Sequence, residues 1–242
     1  MDDLHSYPES SLQFCFSHIS ISQNKWPDGQ VYIGEWDDHS RNGRGTHSWK
    51  DGRRVNGHWL GGHLNGRAIF TWPNGASYDG ECRKGKKHGR GTHTWANGKL
   101  YKGSYVNGKE EGFGSLTQGD WKYRGQFKAG KREGYGMQIW RDKTYDGEWS
   151  NNKAHGKGRI VWQNGATYTG EFKHGRYHGL GVYHWPNGKK YVGSWHNGCK
   201  HGQGVSRAYT IYTVDDECLY SQLAPLFQFF CHVFANSISI NL

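Results

Sequence analysis

Tyr145-Asp146-Gly147-Glu148-Trp149 runs into a polar stretch at residues 150–155, then Gly156-Lys157-Gly158, then a short segment ending at Trp162, and closes on Asn164-Gly165. Period-2 alternation puts Tyr145, Gly147 and Trp149 on one face of a strand and Asp146 and Glu148 on the other. The spacing predicts a second strand that opens at the Gly-x-Gly pair and runs to Trp162. Residues 150–155 then form a loop, and Asn164-Gly165 is a two-residue hairpin turn into the next unit. The phrase recurs eight times, starting at Tyr32, Val55, Tyr78, Tyr101, Tyr123, Tyr145, Tyr168 and Tyr191, a period of 22 or 23 residues. Self-similarity at that period marks a stacked array. The expected fold is all-β: an elongated single-layer antiparallel meander of consecutive hairpins, about 16 strands twisted into a trough with short terminal caps.

The glycines agree with that reading. Of 37, all but Gly61 and Gly119 fall on five fixed columns of the repeat, so the excess is periodic architecture and not low complexity. A Gly between two rings on one face is expected to leave a flat slot for a ring from a neighbouring strand. Repeat two departs from the phrase, with Val55 for Tyr and Ala68 for Gly, and the turns are irregular across residues 112–144.

The organisation divides into an N-terminal segment (1–25), the array (26–206) and a C-terminal tail (207–242). Residues 1–12 are expected to be disordered and residues 17–26 to supply a first strand. Residues 210–214 could add a strand, and residues 222–234 a helix, unless the tail is a spliced or truncated end. Both ends are acidic while the chain carries +10, so the array is strongly basic and suits acidic partners. Five cysteines without CxxC spacing read as reduced thiols in a cytoplasmic protein. No signal peptide is visible, and the apolar run at residues 223–235 is too short to span a bilayer.

Tyr101-Lys-Gly-Ser-Tyr-Val-Asn-Gly-Lys-Glu-Glu-Gly-Phe-Gly114 and Tyr191-Val-Gly-Ser-Trp-His-Asn-Gly-Cys-Lys-His-Gly-Gln-Gly204 carry a Y-x-G-x-W-x-x-G-x-x-x-G-x-G pattern that resembles the MORN repeat family, across roughly residues 26–206. Similar arrays occur in junctophilin-like membrane tethers, ciliary radial-spoke proteins and apicomplexan scaffolds. Others precede the catalytic domains of plant phosphatidylinositol-phosphate kinases and of a SET-domain methyltransferase. The resemblance implies a non-enzymatic scaffold that binds a protein partner and tethers it to a membrane or cytoskeletal structure, with a phospholipid-binding regulatory module of a lipid-kinase-like protein as the alternative; no catalytic sequence of either kind follows Gly204.

Two surfaces are candidates. Arg83, Lys84, Lys86, Lys87, Lys128, Lys131, Arg132, Lys173 and Arg176 fall in or beside the loops on one edge and should form a positive rim for anionic phospholipids. The aromatic trough, lined by Tyr101, Tyr105, Tyr123, Phe127, Trp140, Tyr145, Trp149, Trp162, Tyr168 and Phe172, should take a protein segment. An array end is a candidate homodimer surface. Nucleic acid is not expected, because the rings belong to the repeat. Metal is not expected either: His88, His155, His178 and His201 share a column whose members sit two strands, about 9–10 Å, apart. No cofactor or catalytic set is expected. Glu35, Glu81, Glu148 and Glu171 read as outward partners of nearby Arg and Lys, and Cys82 as a buried filler.

Overall fold

A computed structural model of the chain describes residues 20–208; the tail strand and helix expected beyond residue 208, and the expected disorder before residue 13, lie outside the described residues. Seventeen antiparallel strands form one open sheet, and the described residues contain no helix. A first strand, β1 (Ser20–Lys25), precedes the hairpins β2 (Val31–Asp37) with β3 (Ser40–Ser48), and β4 (Arg54–Leu60) with β5 (His63–Thr71). Then come β6 (Ser77–Arg83) with β7 (Lys86–Thr94), and β8 (Leu100–Val106) with β9 (Lys109–Gln118). Next are β10 (Trp121–Lys128) with β11 (Lys131–Ile139), and β12 (Lys143–Ser150) with β13 (Lys153–Trp162). Finally come β14 (Thr167–Lys173) with β15 (Arg176–His184), and β16 (Lys189–His196) with β17 (Cys199–Ala208). Each strand pairs with the next in sequence from β1 to β16.

The two kinds of turn are the reverse of the expectation. The stretch read as a polar loop is strand, and its tip is the two-residue turn. At Lys84-Gly85, Asn107-Gly108, Ala129-Gly130, Asn151-Asn152, His174-Gly175 and Asn197-Gly198 both residues have positive φ, 49–52° then 67–89°, as a type I′ hairpin requires. The Asn-Gly after each Trp is instead part of a wider turn. The Trp amide donates to the carbonyl four residues on, as from Trp162 to Ala166 at 2.9 Å, and only the Gly has positive φ. There the Asn or Asp side chain caps the amide two residues on, at 3.0 Å from Ala166 to Asn164.

The first Gly of each Gly-x-Gly does not open a strand. It sits inside one with φ of 56–104°, where the bulged strand carries two extra residues and the register shifts by two. Such a bulge frees a backbone N–H. Glu81, Glu148 and Glu171 accept it from Arg90, Lys157 and Leu180 at 2.9, 2.8 and 3.2 Å, and Gln126 does so from Tyr135 at 3.1 Å. This corrects their reading as ion-pair partners: the carboxylates satisfy bulge amides.

The glycines at the second and thirteenth residues after each start stand opposite one another. Gly80, Gly91, Gly103, Gly114, Gly125, Gly136, Gly147, Gly158, Gly170 and Gly181 form one row straight across the strands. Each repeat tyrosine lies over one facing pair. A Cβ at Gly158 would meet the Tyr145 ring at 2.6–2.8 Å, and one at Gly147 would meet the Gly158 Cα at 2.5 Å. The ring comes from the same strand as the first Gly, not from a neighbouring strand as expected. Its hydroxyl donates to the carbonyl three residues on, as from Tyr145 to Glu148 at 2.7 Å. Repeat two is the consistent exception: Val55 supplies no ring, and the Ala68 methyl occupies the vacated place, with a Cβ at Gly57 only 2.7 Å from it.

The rings then make edge contacts that link one repeat to the next. Tyr101 meets Tyr105 and Phe127, Tyr123 meets Phe127 and Trp149, and Tyr145 meets Trp149 and Phe172, all with centroids 5.0–5.2 Å apart and planes near perpendicular. Each buried ring removes about 150–250 Å² from water, roughly 4–6 kcal/mol at about 25 cal/mol/Å². That exceeds the roughly 1–2 kcal/mol that two strand glycines cost in backbone entropy. A single layer thereby carries its own core.

Candidate protein-binding surface

The ring face is mostly closed. Tyr101, Tyr105, Tyr123, Tyr145 and Tyr168 are at most 1% exposed, and Phe127, Trp149 and Phe172 are 4–5% exposed. Within this structure these eight are interior packing, so a partner laid on this face would not touch them; Trp140 and Trp162 remain half-buried at its edge.

The basic residues also divide. Arg83, Lys84, Lys86, Lys128, Lys131, Lys173 and Arg176 are exposed around the type I′ tips. Arg83 faces Lys86, Lys128 faces Lys131 and Lys173 faces Arg176 directly across their hairpins, three like-charge pairs on alternate repeats. Lys87 and Arg132 are not rim residues. They fold back over the rings, with the Arg132 guanidinium 4.2 Å from the Trp149 centroid and the Lys87 ammonium 4.7 Å from that of Tyr78.

A pairing six residues apart explains the difference and was readable in the sequence. Arg41 reaches His47 at 2.7 Å, Lys87 reaches His93 at 3.1 Å, and Arg132 donates to Gln138. Where the first position is apolar the sixth is too: Leu64 with Phe70, Ala154 with Ile160, Tyr177 with Tyr183. Burial lowers Lys87 to about 8. Burial first, then the Lys87 and Lys99 charges, lower His93 to about 4. A histidine in the unfolded chain titrates near 6.5, so between pH 6.5 and 4 the unfolded state binds the extra proton, and stability falls as pH falls through that window. His93 is only partly shielded, so its share should be about 1 kcal/mol. Urea midpoints at pH 6.5 and 4.5 should show a smaller acid loss for His93→Gln, which keeps the acceptor, than for wild type; parallel declines would contradict the assignment.

Cys82 is 4% exposed, and burial pushes its thiol up to about 11, so it holds its proton as core. Histidines outside the column interleave with it: His155 lies 5.7 Å from His174 at a turn, and His196 at the end of β16 lies 5.1 Å from His178 and 5.5 Å from His201. Among the described residues no three His, Cys, Asp or Glu side chains are placed to hold a metal ion. Nor is any helix there long and apolar enough to cross a membrane.

The groove lies on the reverse face, which sequence reasoning missed. It has a volume of about 670 Å³, with Gly80, Gly91 and Gly103 as its floor and Arg67, Asp79, Glu81, Arg90, Lys102 and Phe113 as its walls. Arg67 is held by Asp79 through two bonds of 3.0–3.1 Å, which raises its pKa, while Arg90 and Lys102 have no carboxylate within 4 Å among the described residues. Beyond Phe113 (59% exposed) the same face presents Tyr135 (57%) and Met137 (42%), with Arg124 over the Phe113 ring at 5.6 Å. The legible sign was a large apolar residue at positions the alternation assigns to solvent.

Comparison with known proteins bears on the repeat unit. The sheet is similar to the TCP domain of SAS-4 from Drosophila melanogaster, solved in complex with a proline-rich motif of Ana2: 11% identity, 79% of this chain and 97% of that one covered, TM-score 0.38. It is also similar to the TCP10 domain of Danio rerio CPAP, at 9% identity, 72% and 94% coverage and TM-score 0.28. At these TM-scores nothing follows for this chain's function. No curated protein sequence matches the chain. The MORN repeat profile matches residues 32–53, 56–77, 78–99, 101–122, 123–144, 145–167, 168–190 and 191–207. With those eight matches laid over the eight repeats of one sheet, the chain belongs to the MORN repeat family.

Proposed function

We propose that this chain is a non-enzymatic scaffold that holds a protein partner on the reverse face of its sheet. One observation carries the reading: the repeat aromatics are spent on the sheet's own core, while the reverse face keeps a groove walled at one end by Phe113, with Tyr135 and Met137 exposed on the same face beyond it, all three at 42–59% exposure. Exposed Phe, Tyr, Met and Arg side chains beside a concavity are the composition of interface centres. This moves the protein site from the tyrosine trough to the opposite side.

A second reading rests on the rim. Like charges directly opposite each other destabilise a hairpin, so the three cation pairs at the tips favour an anionic surface such as a phospholipid membrane docking there. One panel tests both readings. The full chain as bait should lose its captured proteins with Phe113→Glu/Tyr135→Glu and keep them with Trp140→Ala/Trp162→Ala; the opposite pattern would return the site to the ring face. Sedimentation with acidic liposomes at low salt should be abolished by Arg83→Glu/Lys86→Glu/Lys131→Glu if the rim reading is right, and absent pelleting of wild type would remove lipid from the account.

A further inference from the structure

We infer that the reverse-face groove, together with the glycine row that continues beyond it, takes an extended acidic peptide carrying a large apolar side chain, laid across the strands from β7 to β11; this rests on the reading that a protein partner binds this face. Gly80, Gly91 and Gly103 give the groove a floor without side chains as far as Phe113, and the glycine row continues past it through Gly114, Gly125 and Gly136. Arg90, Phe113 and Tyr135 flank this row on one side, and Lys102, Arg124 and Met137 on the other, with Arg124 reaching over the Phe113 ring. At about 4.8 Å per strand, β7 to β11 spans about 19 Å, which six residues of extended chain at about 3.3 Å each would fill. Side chains of an extended peptide alternate between the two sides of the row, so successive residues meet cations on opposite sides: Arg90 on one, Lys102 and Arg124 on the other.

Charge selects the chemistry. Asp79 is paired with Arg67, and Glu81 is engaged with the Arg90 amide, so the acidic groups of the groove are occupied. Arg90, Lys102 and Arg124 are exposed with no carboxylate within 4 Å among the described residues. Two or three ligand carboxylates would satisfy them. Phe113, Tyr135 and Met137 then offer an apolar seat next to the charges, which a purely acidic ligand would leave in water. A bilayer is flat and does not enter a concavity. Single-stranded nucleic acid would bring phosphates to the cations and bases to the Phe113 and Tyr135 rings, and the test separates it from a peptide.

The test is selection of a random twelve-residue peptide library displayed on phage against the full chain, repeated on Arg90→Glu/Lys102→Glu. Both residues are exposed, so this variant should melt like wild type. The expected result is enrichment of peptides with clustered Asp or Glu next to a Leu, Phe, Trp or Met, and about tenfold or greater weakening of a selected peptide on the variant, as reversing charge contacts at an interface produces. Selected peptides without acidic residues, or bound equally by the variant, would overturn the inference and leave the scaffold reading standing. Recovery of no peptide, with Arg90- and Lys102-dependent binding of single-stranded DNA or phosphatidylserine vesicles instead, would overturn both.

Discussion

Gly147→Val should lower stability by about 2–4 kcal/mol, whereas Asp146→Val beside it should change it by about 0.5 kcal/mol or less, although β-propensity favours Val at either site. The direction of each side chain decides the outcome. A Cβ at position 147 would lie 2.5 Å from the Gly158 Cα, 2.7 Å from the Lys157 carbonyl oxygen and 2.7 Å from the Tyr145 hydroxyl. Two of those three atoms are backbone in a paired strand and cannot swing aside. Relief would require the strands to part or the ring to leave its seat, and Tyr145 also supports Trp149 and Phe172 through edge contacts at 5.1 and 5.0 Å. Asp146 points to the reverse face, opposite Met137 and Arg159, where a side chain has room. For a sheet of this length the difference corresponds to a drop in melting temperature of about 5–10 °C. Thermal unfolding of the two variants side by side checks it, and equal midpoints would contradict the seat.

The size of that effect follows from a feature the sequence displayed openly, the phase of Tyr, Gly and Trp. Alternation placed Tyr145, Gly147 and Trp149 on one face, and the period of 22 or 23 residues made the array all-β. Which turn was which was not legible, because the same dipeptide serves both. Asn107-Gly108 and Asn197-Gly198 are type I′ tips, while Asn74-Gly75 and Asn97-Gly98 lie in the wider turns after Trp72 and Trp95. Only the register distinguishes them, and the register depends on bulges at residues such as Gly89 and Gly156 that no local preference announces. Lys87 and Arg132 were misplaced for a related reason. A strand read as a loop loses its alternation, so cations that point inward were counted with those that point out. The reverse-face groove was hidden because alternation reads its residues as the solvated side, where exposed apolar residues such as Phe113, Tyr135 and Met137 are read one at a time and not as a surface.

A tyrosine seated on a pair of facing glycines is the unit that builds this sheet, and repeat two shows what happens where the tyrosine is missing. Nature's own variant is Val55 with Ala68: where the ring is absent, a methyl stands in its place. A double-mutant cycle on Tyr145 and Gly158 transplants that solution. Tyr145→Val alone should cost about 2–4 kcal/mol through the lost ring and the cavity beneath it. Gly158→Ala alone should cost about 1–3 kcal/mol, because its methyl would meet the ring at 2.6–2.8 Å. In the double variant the methyl enters space the ring has left, so the combined loss should fall short of the sum by about 1–2 kcal/mol, a coupling well above the few tenths expected of independent sites. Urea unfolding of the four chains measures this directly: that shortfall is the predicted result, and losses that simply add would contradict the account.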